Sequence, residues 1–525
     1  MKTKGGTTVL SRQKKAILLS VCAIAVLGIA YLILSMTLLK DTSTPAETVD
    51  KFGETIGAGG KHTMFQQIER KNIKEIIVTN SKGKYRYYRG DDGKLYIDGA
   101  EAVSYDPELI SNLVVSCGYP LSLKLLDDPK PYEDYKLTAD TCLATFEITA
   151  LDTGKHYKVY IGMKLLTEGG YYARLDGRDA VYVLDTTLEK SVFADIKDYF
   201  VAQLAPNIDQ NYYYNITDFL LKKNGEEFVN IIHISDEEKE AEALTTGQKM
   251  IYPGNFVPSS YNYSTVILQH FITLVGESVE EYGINKYLTA QTSDEKTKFI
   301  EILNKYGFLD ENGKFLYELS YSYDNVSTTL YVSKLDENNY YHIYSPRYDI
   351  IASMPKDSFS WIEWDLIKYV DSGIFSMNIN NVKRIEFTSP SANASFDLSY
   401  INEGKKDDLT VMCEQSGKRV TTTNFREFYK QMLYVANAGY ADSDNGEAAS
   451  AQLKIITVDD IVRTYTFYDI SSLRSYYTVD GNGNFYVSRS YVKKLIEDIS
   501  LLLKDDFDVP AGSPDKIVVA SRNDF

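Results

Sequence analysis

The chain has 525 residues, of which 44% are hydrophobic and 25% are charged, and its formal net charge is −17. This length exceeds one ordinary hydrophobic core, and this composition is not that of a long disordered chain, so we expect several folded domains. The excess of acidic residues argues against a nucleic-acid partner, because binding to phosphates requires clustered lysine and arginine.

A membrane helix is predicted near the N-terminus. Residues 16–39 carry no charged side chain, and at ~1.5 Å per residue they span ~36 Å, more than the ~30 Å core of a bilayer. Five basic residues lie in residues 1–15, whereas only Lys40 follows closely. The positive-inside rule therefore predicts a cytoplasmic basic tail, a single span of the plasma membrane and the bulk of the chain outside. A cleaved signal peptide is the alternative, but its apolar region would be shorter.

Residues 40–63 are rich in threonine, glycine and acidic side chains and show no apolar period. This pattern predicts a flexible linker between the membrane helix and the folded domains.

The rest of the chain contains three stretches that begin alike. They start at residues 72, 215 and 381 with the sequences NIKEIIV, NITDFLL and NVKRIEF. A pair of adjacent tyrosines follows in each, at residues 171–172, 340–341 and 476–477. Recurrence of this kind predicts three diverged internal repeats.

Each predicted repeat consists of strands, a helix, more strands and a closing helix. This order predicts an α+β fold, with an antiparallel sheet that carries its helices on one side. The predicted domains are residues 64–210, 211–376 and 377–507, followed by a C-terminal tail at 508–525. The predicted helices are 107–115, 187–200, 260–275, 358–370, 423–436 and 490–503.

Three cysteines lie beyond the membrane helix, and their spacing is not that of a disulfide framework. Cys117 is predicted at the end of a helix and Cys142 at the start of a strand, so one bridge between them is possible. Buried free thiols are the alternative, which also accounts for Cys413.

No constellation of catalytic, cofactor-binding or metal-binding residues is predicted. Residues 57–63 resemble a phosphate-binding loop but lack its first glycine and its final serine or threonine. Residues 480–484 resemble a calcium loop without its central glycine, and residues 442–447 form an acidic loop. The five histidines are too far apart in sequence for a local zinc pair.

Aromatic residues leave two interpretations open. Trp361 and Trp364 flank Glu363 and precede Asp365, an arrangement that suits either a sugar-binding platform with carboxylates or the core face of a closing helix. The core is favoured, because a spacing of three places both indoles on one side of a helix. The 43 tyrosines are likewise either strand formers or an exposed surface for glycans or partner proteins.

The membrane helix, the first hairpin at residues 76–87 and the element YEDYKL at residues 132–137 together resemble a known family. The element recurs as EYGI at residues 281–284. The chain resembles the bacterial membrane-anchored family called domain of unknown function 4340. The first copy departs from the family pattern at Lys136, where glycine is usual. The resemblance implies an extracytoplasmic α+β region, often encoded beside gliding-motility-type ABC transporters, and offers no catalytic residues.

Three functions are compatible with these features. The first is a non-enzymatic accessory or scaffold protein that works with an ABC-type transporter. Gly28 and Ser35 would then let a permease helix approach the membrane helix closely, although a plain anchor is the alternative. The second is a module that binds a cell-envelope glycan, and the third is an extracellular hydrolase. Ligand, partner surface and oligomeric state are not predicted.

Overall fold

The computed structural model describes most of the chain beyond its N-terminal region. The described residues are 48–57, 60–166, 169–241, 246–254, 256–289, 292–400, 409–441 and 443–504. The predicted membrane helix at 16–39, with Gly28 and Ser35, and the predicted tail at 508–525 lie outside them. None of the helices in these ranges is both long enough and apolar enough to span a bilayer. The described residues divide into two compact units. The first unit comprises residues 48–98 and 107–199, and the second unit comprises residues 99–106 and 200–504.

The first unit is built on an antiparallel sheet in which several strands, such as Ala144–Ala150, bury every second side chain. The α-helix described in this unit, α1 (Pro107–Gly118), packs on this sheet. The strands are β1 (Thr48–Val49), β2 (Thr55–Ile56), β3 (His62–Thr63), β4 (Ile73–Asn80), β5 (Gly83–Arg89), β6 (Leu95–Ile97), β8 (Leu121–Leu125), β9 (Ala144–Ala150), β10 (His156–Lys164), β11 (Tyr171–Leu175) and β12 (Tyr182–Leu184), in the order β1-β2-β3-β8-β12-β11-β10-β9-β4-β5-β6.

The part of the predicted linker that the structure describes belongs to this sheet, which corrects the prediction of a flexible spacer for these residues. Residues 48–57 and 60–63 supply β1, β2 and β3. The Arg178 guanidinium donates to Glu54 at 3.0 Å and to the Met64 carbonyl at 2.8 Å. Strands of two residues are too short to produce an apolar period, so the sequence pattern did not reveal them.

The second unit contains two larger sheets and a small ribbon of β7 (Ser104–Tyr105) with β13 (Phe200–Val201). The first of the two sheets has the order β16-β15-β14-β18-β19-β20-β21-β17. Its strands are β14 (Thr217–Lys223), β15 (Glu226–His233), β16 (Gln248–Tyr252), β17 (Ser278–Tyr282), β18 (Tyr317–Tyr323), β19 (Val326–Val332), β20 (Tyr340–Ser345) and β21 (Ile350–Pro355).

Its helices were only partly predicted. The predicted helix at 260–275 ends earlier, as a π-helix at Ser260–Ile267 continued by α3 (Leu268–His270). The other helices are α2 (Asp236–Ala241), α4 (Asn285–Leu288), α5 (Ser293–Lys305) and α6 (Lys356–Phe359). Helix α5 was missed because it buries only Phe299 and Leu303.

The last sheet has the order β25-β24-β23-β22-β27-β28-β29-β30-β26, and its helices are α7 (Thr422–Leu433) and α8 (Arg489–Lys504), close to the predicted ones. Its strands are β22 (Val382–Thr388), β23 (Asn393–Tyr400), β24 (Leu409–Cys413), β25 (Lys418–Val420), β26 (Asn437–Tyr440), β27 (Ala449–Thr457), β28 (Val462–Tyr468), β29 (Arg474–Val479) and β30 (Asn482–Ser488).

The predicted closing helices at 187–200 and 358–370 are wrong. The first is replaced by the 3-10 turns Thr186–Lys190 and Ile196–Tyr199, and the second by α6 with two 3-10 turns. In both segments a buried tyrosine donates to a carbonyl eight residues earlier, Tyr199 to Ser191 and Tyr369 to Trp361, each at 2.8 Å. A side chain thus satisfies a carbonyl that a continuous helix would have paired.

The coarse prediction of an α+β fold with antiparallel sheets is confirmed. The possible bridge between Cys117 and Cys142 is not formed, since these two cysteines and Cys413 are all free. Burial raises the pKa of the Cys117 thiol, because a thiolate would be poorly solvated there.

Candidate functional site

An open groove of about 680 Å³ in the second unit is the best candidate for a ligand site. It lies where the ends of β14 and β16 approach β26, and it is lined by apolar, aromatic and charged side chains. The lining residues are Lys223, Glu227, Phe228, Tyr252, Pro253, Asp365, Leu366, Ile367, Ala438, Gly439, Tyr440 and Asn484. Mixed apolar and polar walls of this volume are typical of sites for small organic ligands.

Lys223 is the most unusual side chain of this groove. It follows Phe219 and Leu221 in the alternation of β14 and therefore lies on the face of the sheet that those two buried residues occupy. Its Nζ donates to the carbonyl of Trp364 at 2.9 Å and lies 3.8 Å from the centroid of the Phe228 ring. The amine is thus held between a neutral carbonyl and an aromatic face.

Burial lowers the pKa of Lys223 to about 8, and the negative charges of Asp365 and Glu363 oppose this shift without cancelling it. The Phe228 ring also favours the charged amine, so loss of water is the effect that prevails. A substantial fraction of this amine is therefore uncharged near neutral pH, unlike an ordinary exposed lysine.

Two tyrosines give the groove aromatic surface that water reaches. Tyr252 is 42% exposed and Tyr440 is 52% exposed. The carboxylates of Glu227 and Asp365 and the amide of Asn484 lie in the same groove. Exposed aromatic rings beside hydrogen-bonding groups can hold a sugar ring or another flat, partly polar ligand.

The two tryptophans are not one platform. Trp361 is 1% exposed and packs against Phe359, Phe271 and Phe219 at centroid separations of 4.6, 6.0 and 6.4 Å, so its predicted place in the core is confirmed. Trp364 is half-buried, and its carbonyl is the acceptor for Lys223. The helix that was expected to place both indoles on one face ends between them.

The EYGI element at 281–284 has a structural explanation. Gly283 has a φ of +65°, and a Cβ built there would lie 2.6 Å from the carbonyl oxygen of Gly99. Its N–H donates to the Asp349 carbonyl at 3.0 Å, and the next residue, Ile284, is buried. Glycine is required here both by the left-handed backbone and by the close approach of another chain segment.

The YEDYKL element of the first unit has the same left-handed position. Lys136 has a φ of +55°, and Leu137 after it is buried. Here the close approach is made possible by a different glycine, because a Cβ on Gly162 would lie 2.1 Å from the Tyr135 carbonyl oxygen. Lys136 thus has the left-handed backbone conformation that Gly283 has in the EYGI element.

Other predicted motifs have structural roles. Within the described ranges, no group of three or more His, Cys, Asp and Glu side chains could hold a metal ion. Asp480, in the calcium-like stretch, accepts from the Thr464 N–H at 2.8 Å and pairs with Arg463 at 3.2 Å. His62, at the end of the phosphate-loop-like stretch, lies in β3, while residues 58–59 are outside the described ranges.

Residues 120–298 match the family model whose description is "Domain of unknown function (DUF4340)". These residues carry a DUF4340 domain. The match confirms the predicted family and includes both elements with the left-handed residue. The DUF4340 match begins just before β8 and ends within α5, so it covers the later strands of the first sheet and the earlier strands of the second. No curated protein and no solved structure matches the chain.

The groove contains residues that lie on both sides of the end of the DUF4340 match. Lys223, Glu227 and Tyr252 belong to the matched region, whereas Asp365 and Tyr440 come later in the chain. Sequence reasoning missed the groove because its walls come from separate parts of the chain. The one available signal was a lysine at an inward position of β14.

Proposed function

We propose that this chain is a non-enzymatic accessory or scaffold protein on the outer face of a bacterial plasma membrane. In this proposal residues 16–39 are the single membrane anchor, and an ABC-type permease is the partner. The DUF4340 match carries the proposal, because the family resemblance is what implies an association with such transporters. The charge asymmetry around the apolar stretch supports the orientation.

We further propose that the extracytoplasmic region consists of three diverged copies of one unit. A shared strand order supports this: β6-β5-β4-β9-β10-β11-β12-β8, β16-β15-β14-β18-β19-β20-β21-β17 and β24-β23-β22-β27-β28-β29-β30-β26. In each copy a 3-10 turn ends at the repeated asparagine, and the paired tyrosines lie in the sixth strand of this order. A scaffold of this kind presents several sheet edges to a partner.

The partner is tested by purifying the full-length protein from detergent and identifying any co-purifying multi-span permease. The proposal expects one, and its absence at native expression levels would refute the transporter association. Replacing residues 16–39 with an unrelated membrane helix of equal length then locates the contact. Loss of the permease assigns the contact to the helix, with Gly28 and Ser35 as the first positions to substitute. Retention assigns it to the extracytoplasmic sheets.

The orientation is tested with protease added to intact cells. Soluble fragments from beyond residue 47 are expected to appear in the medium. Full protection of those residues in intact cells, with cleavage after lysis, would reverse the proposed orientation.

A module that binds a cell-envelope glycan is the second candidate, and the groove with Tyr252 and Tyr440 favours it. The test is sedimentation of the protein with purified cell-wall material. Tyr440→Ala should weaken binding severalfold, since stacking on one ring contributes about 1 kcal/mol. Tyr261→Ala is the matched control, because Tyr261 is 68% exposed but does not line the groove. Equal effects of both substitutions would refute the groove as a glycan site.

A further inference from the structure

The amine of Lys223 has an environment that its neighbour in sequence lacks. Lys222 faces the other side of the sheet, where its Nζ pairs with Glu318 at 2.8 Å. Lys223 has the Trp364 carbonyl and the Phe228 ring as its close partners, and no described carboxylate forms an ion pair with it. Two adjacent lysines thus differ in the feature that controls amine reactivity, which is stabilisation of the ammonium form.

The groove provides room for a ligand beside Lys223. Lys223 lies in its wall, and the open volume of about 680 Å³ accommodates a small organic molecule beside it. The Trp364 carbonyl can only accept a hydrogen, so it fixes one N–H and leaves the nitrogen lone pair of the neutral amine free. Asp365 lines the same groove, so a molecule bound there would also lie near a carboxyl group.

We propose that Lys223 is a carbonyl-binding residue, at which an aldehyde or ketone ligand is held in the groove as an imine. The lone pair of the amine attacks the carbonyl carbon, and a C–N bond forms as the C=O π electrons move to oxygen. A proton passes from nitrogen to that oxygen to give a carbinolamine. Protonation of the hydroxyl by solvent lets it leave as water, and loss of the remaining N–H proton to solvent gives the neutral imine.

The ionisation of Lys223 supports this chemistry, because only the neutral amine is a nucleophile. At pH 7.5, an amine with a pKa of about 8 is roughly one quarter neutral, whereas an ordinary lysine is neutral at roughly one part in a thousand. Partial burial hinders access and reduces this advantage. We expect a net preference for Lys223 over Lys222 of about ten-fold or more.

The test uses the full-length protein in detergent, benzaldehyde as the probe and cyanoborohydride to trap the imine. Fragment-ion mass spectrometry then measures the benzyl adduct at each of the two adjacent lysines. The proposal expects faster modification of Lys223 at pH 7.5 by about ten-fold, with a rate that rises to a midpoint near pH 8. Equal rates at Lys222 and Lys223, or faster modification of Lys222, would overturn it.

Two variants complete the test. Lys223→Met keeps the apolar stem of the side chain and should abolish the fast adduct, whereas Lys222→Met should leave the fast phase unchanged. A fast phase that persists in Lys223→Met would assign the reactivity to another amine and refute the proposal. The comparison within the unsubstituted protein needs no variant to fold. The result does not depend on the transporter partner, so either proposal can fail alone.

Discussion

Replacement of Trp361 by alanine should destabilise the second unit strongly, because this side chain lies at the centre of an aromatic cluster. A buried aromatic side chain removes ~150–250 Å² from water, worth ~4–6 kcal/mol at ~25 cal/mol per Å². The indole N–H is buried without a hydrogen-bond partner, which costs roughly 1–3 kcal/mol in the native protein. We therefore expect Trp361→Ala to lower the free energy of unfolding by about 3 kcal/mol, at the lower end of aromatic core deletions.

The same reasoning predicts the effects of two companion substitutions. Trp361→Phe keeps an aromatic ring and removes the unpaired N–H, so it should cost less than about 1.5 kcal/mol. Trp364→Ala removes a half-buried side chain and should cost about 1–2 kcal/mol, since less apolar surface is lost.

Urea unfolding followed by tryptophan fluorescence measures these differences. The chain has only two tryptophans, both in the second unit, so each single variant keeps one reporter of that unit. The midpoint should fall furthest for Trp361→Ala, with an unchanged slope on urea. A larger shift for Trp364→Ala than for Trp361→Ala would refute the assignment of Trp361 to the core.

Three further predictions concern stability. Gly283→Ala should lower the free energy of unfolding by about 1–3 kcal/mol, because Gly283 has a positive φ and a carbonyl close to the position of the new Cβ. Lys136→Gly should be neutral or slightly stabilising in thermal unfolding of the first unit. A loss of stability with Lys136→Gly equal to that with Gly283→Ala would contradict this explanation. Arg384→Met leaves three carboxylates without their shared cation and should lower the free energy of unfolding by about 1–2 kcal/mol. Added salt should restore part of this stability, because it screens the repulsion between the carboxylates. A loss of stability that does not change with salt would argue against charge repulsion. Burial lowers the pKa of His342, so the unfolded chain binds the proton more tightly than the folded chain does. The free energy of unfolding should therefore fall as the pH drops below about 6.5. A His342→Gln variant whose stability in urea unfolding depends on pH as that of the unsubstituted protein does would refute this.

Much of the strand pattern was predictable, because the strands that bury one face alternate apolar and polar side chains. Strands β4, β14 and β22 lie in the three stretches that begin alike, and the helix α8 was predicted to within a residue at each end. The missed elements bury little apolar surface of their own, as in β1 to β3, or only two side chains, as in α5. Their positions depend on contacts such as that of Arg178 with Glu54, which are distant in sequence.

The sequence by itself determined the antiparallel α+β class, the family and the recurrence of the opening strands, because these depend on local periodicity and on short motifs. The tertiary structure decided which segments with helical apolar spacing form a helix and which form 3-10 turns. In the segments that form turns, Tyr199 and Tyr369 donate to carbonyls that a helix would have paired. It also decided the groove and the environment of Lys223. The charge state of an amine depends on the groups and the water around it, and here those groups come from chain segments more than a hundred residues apart.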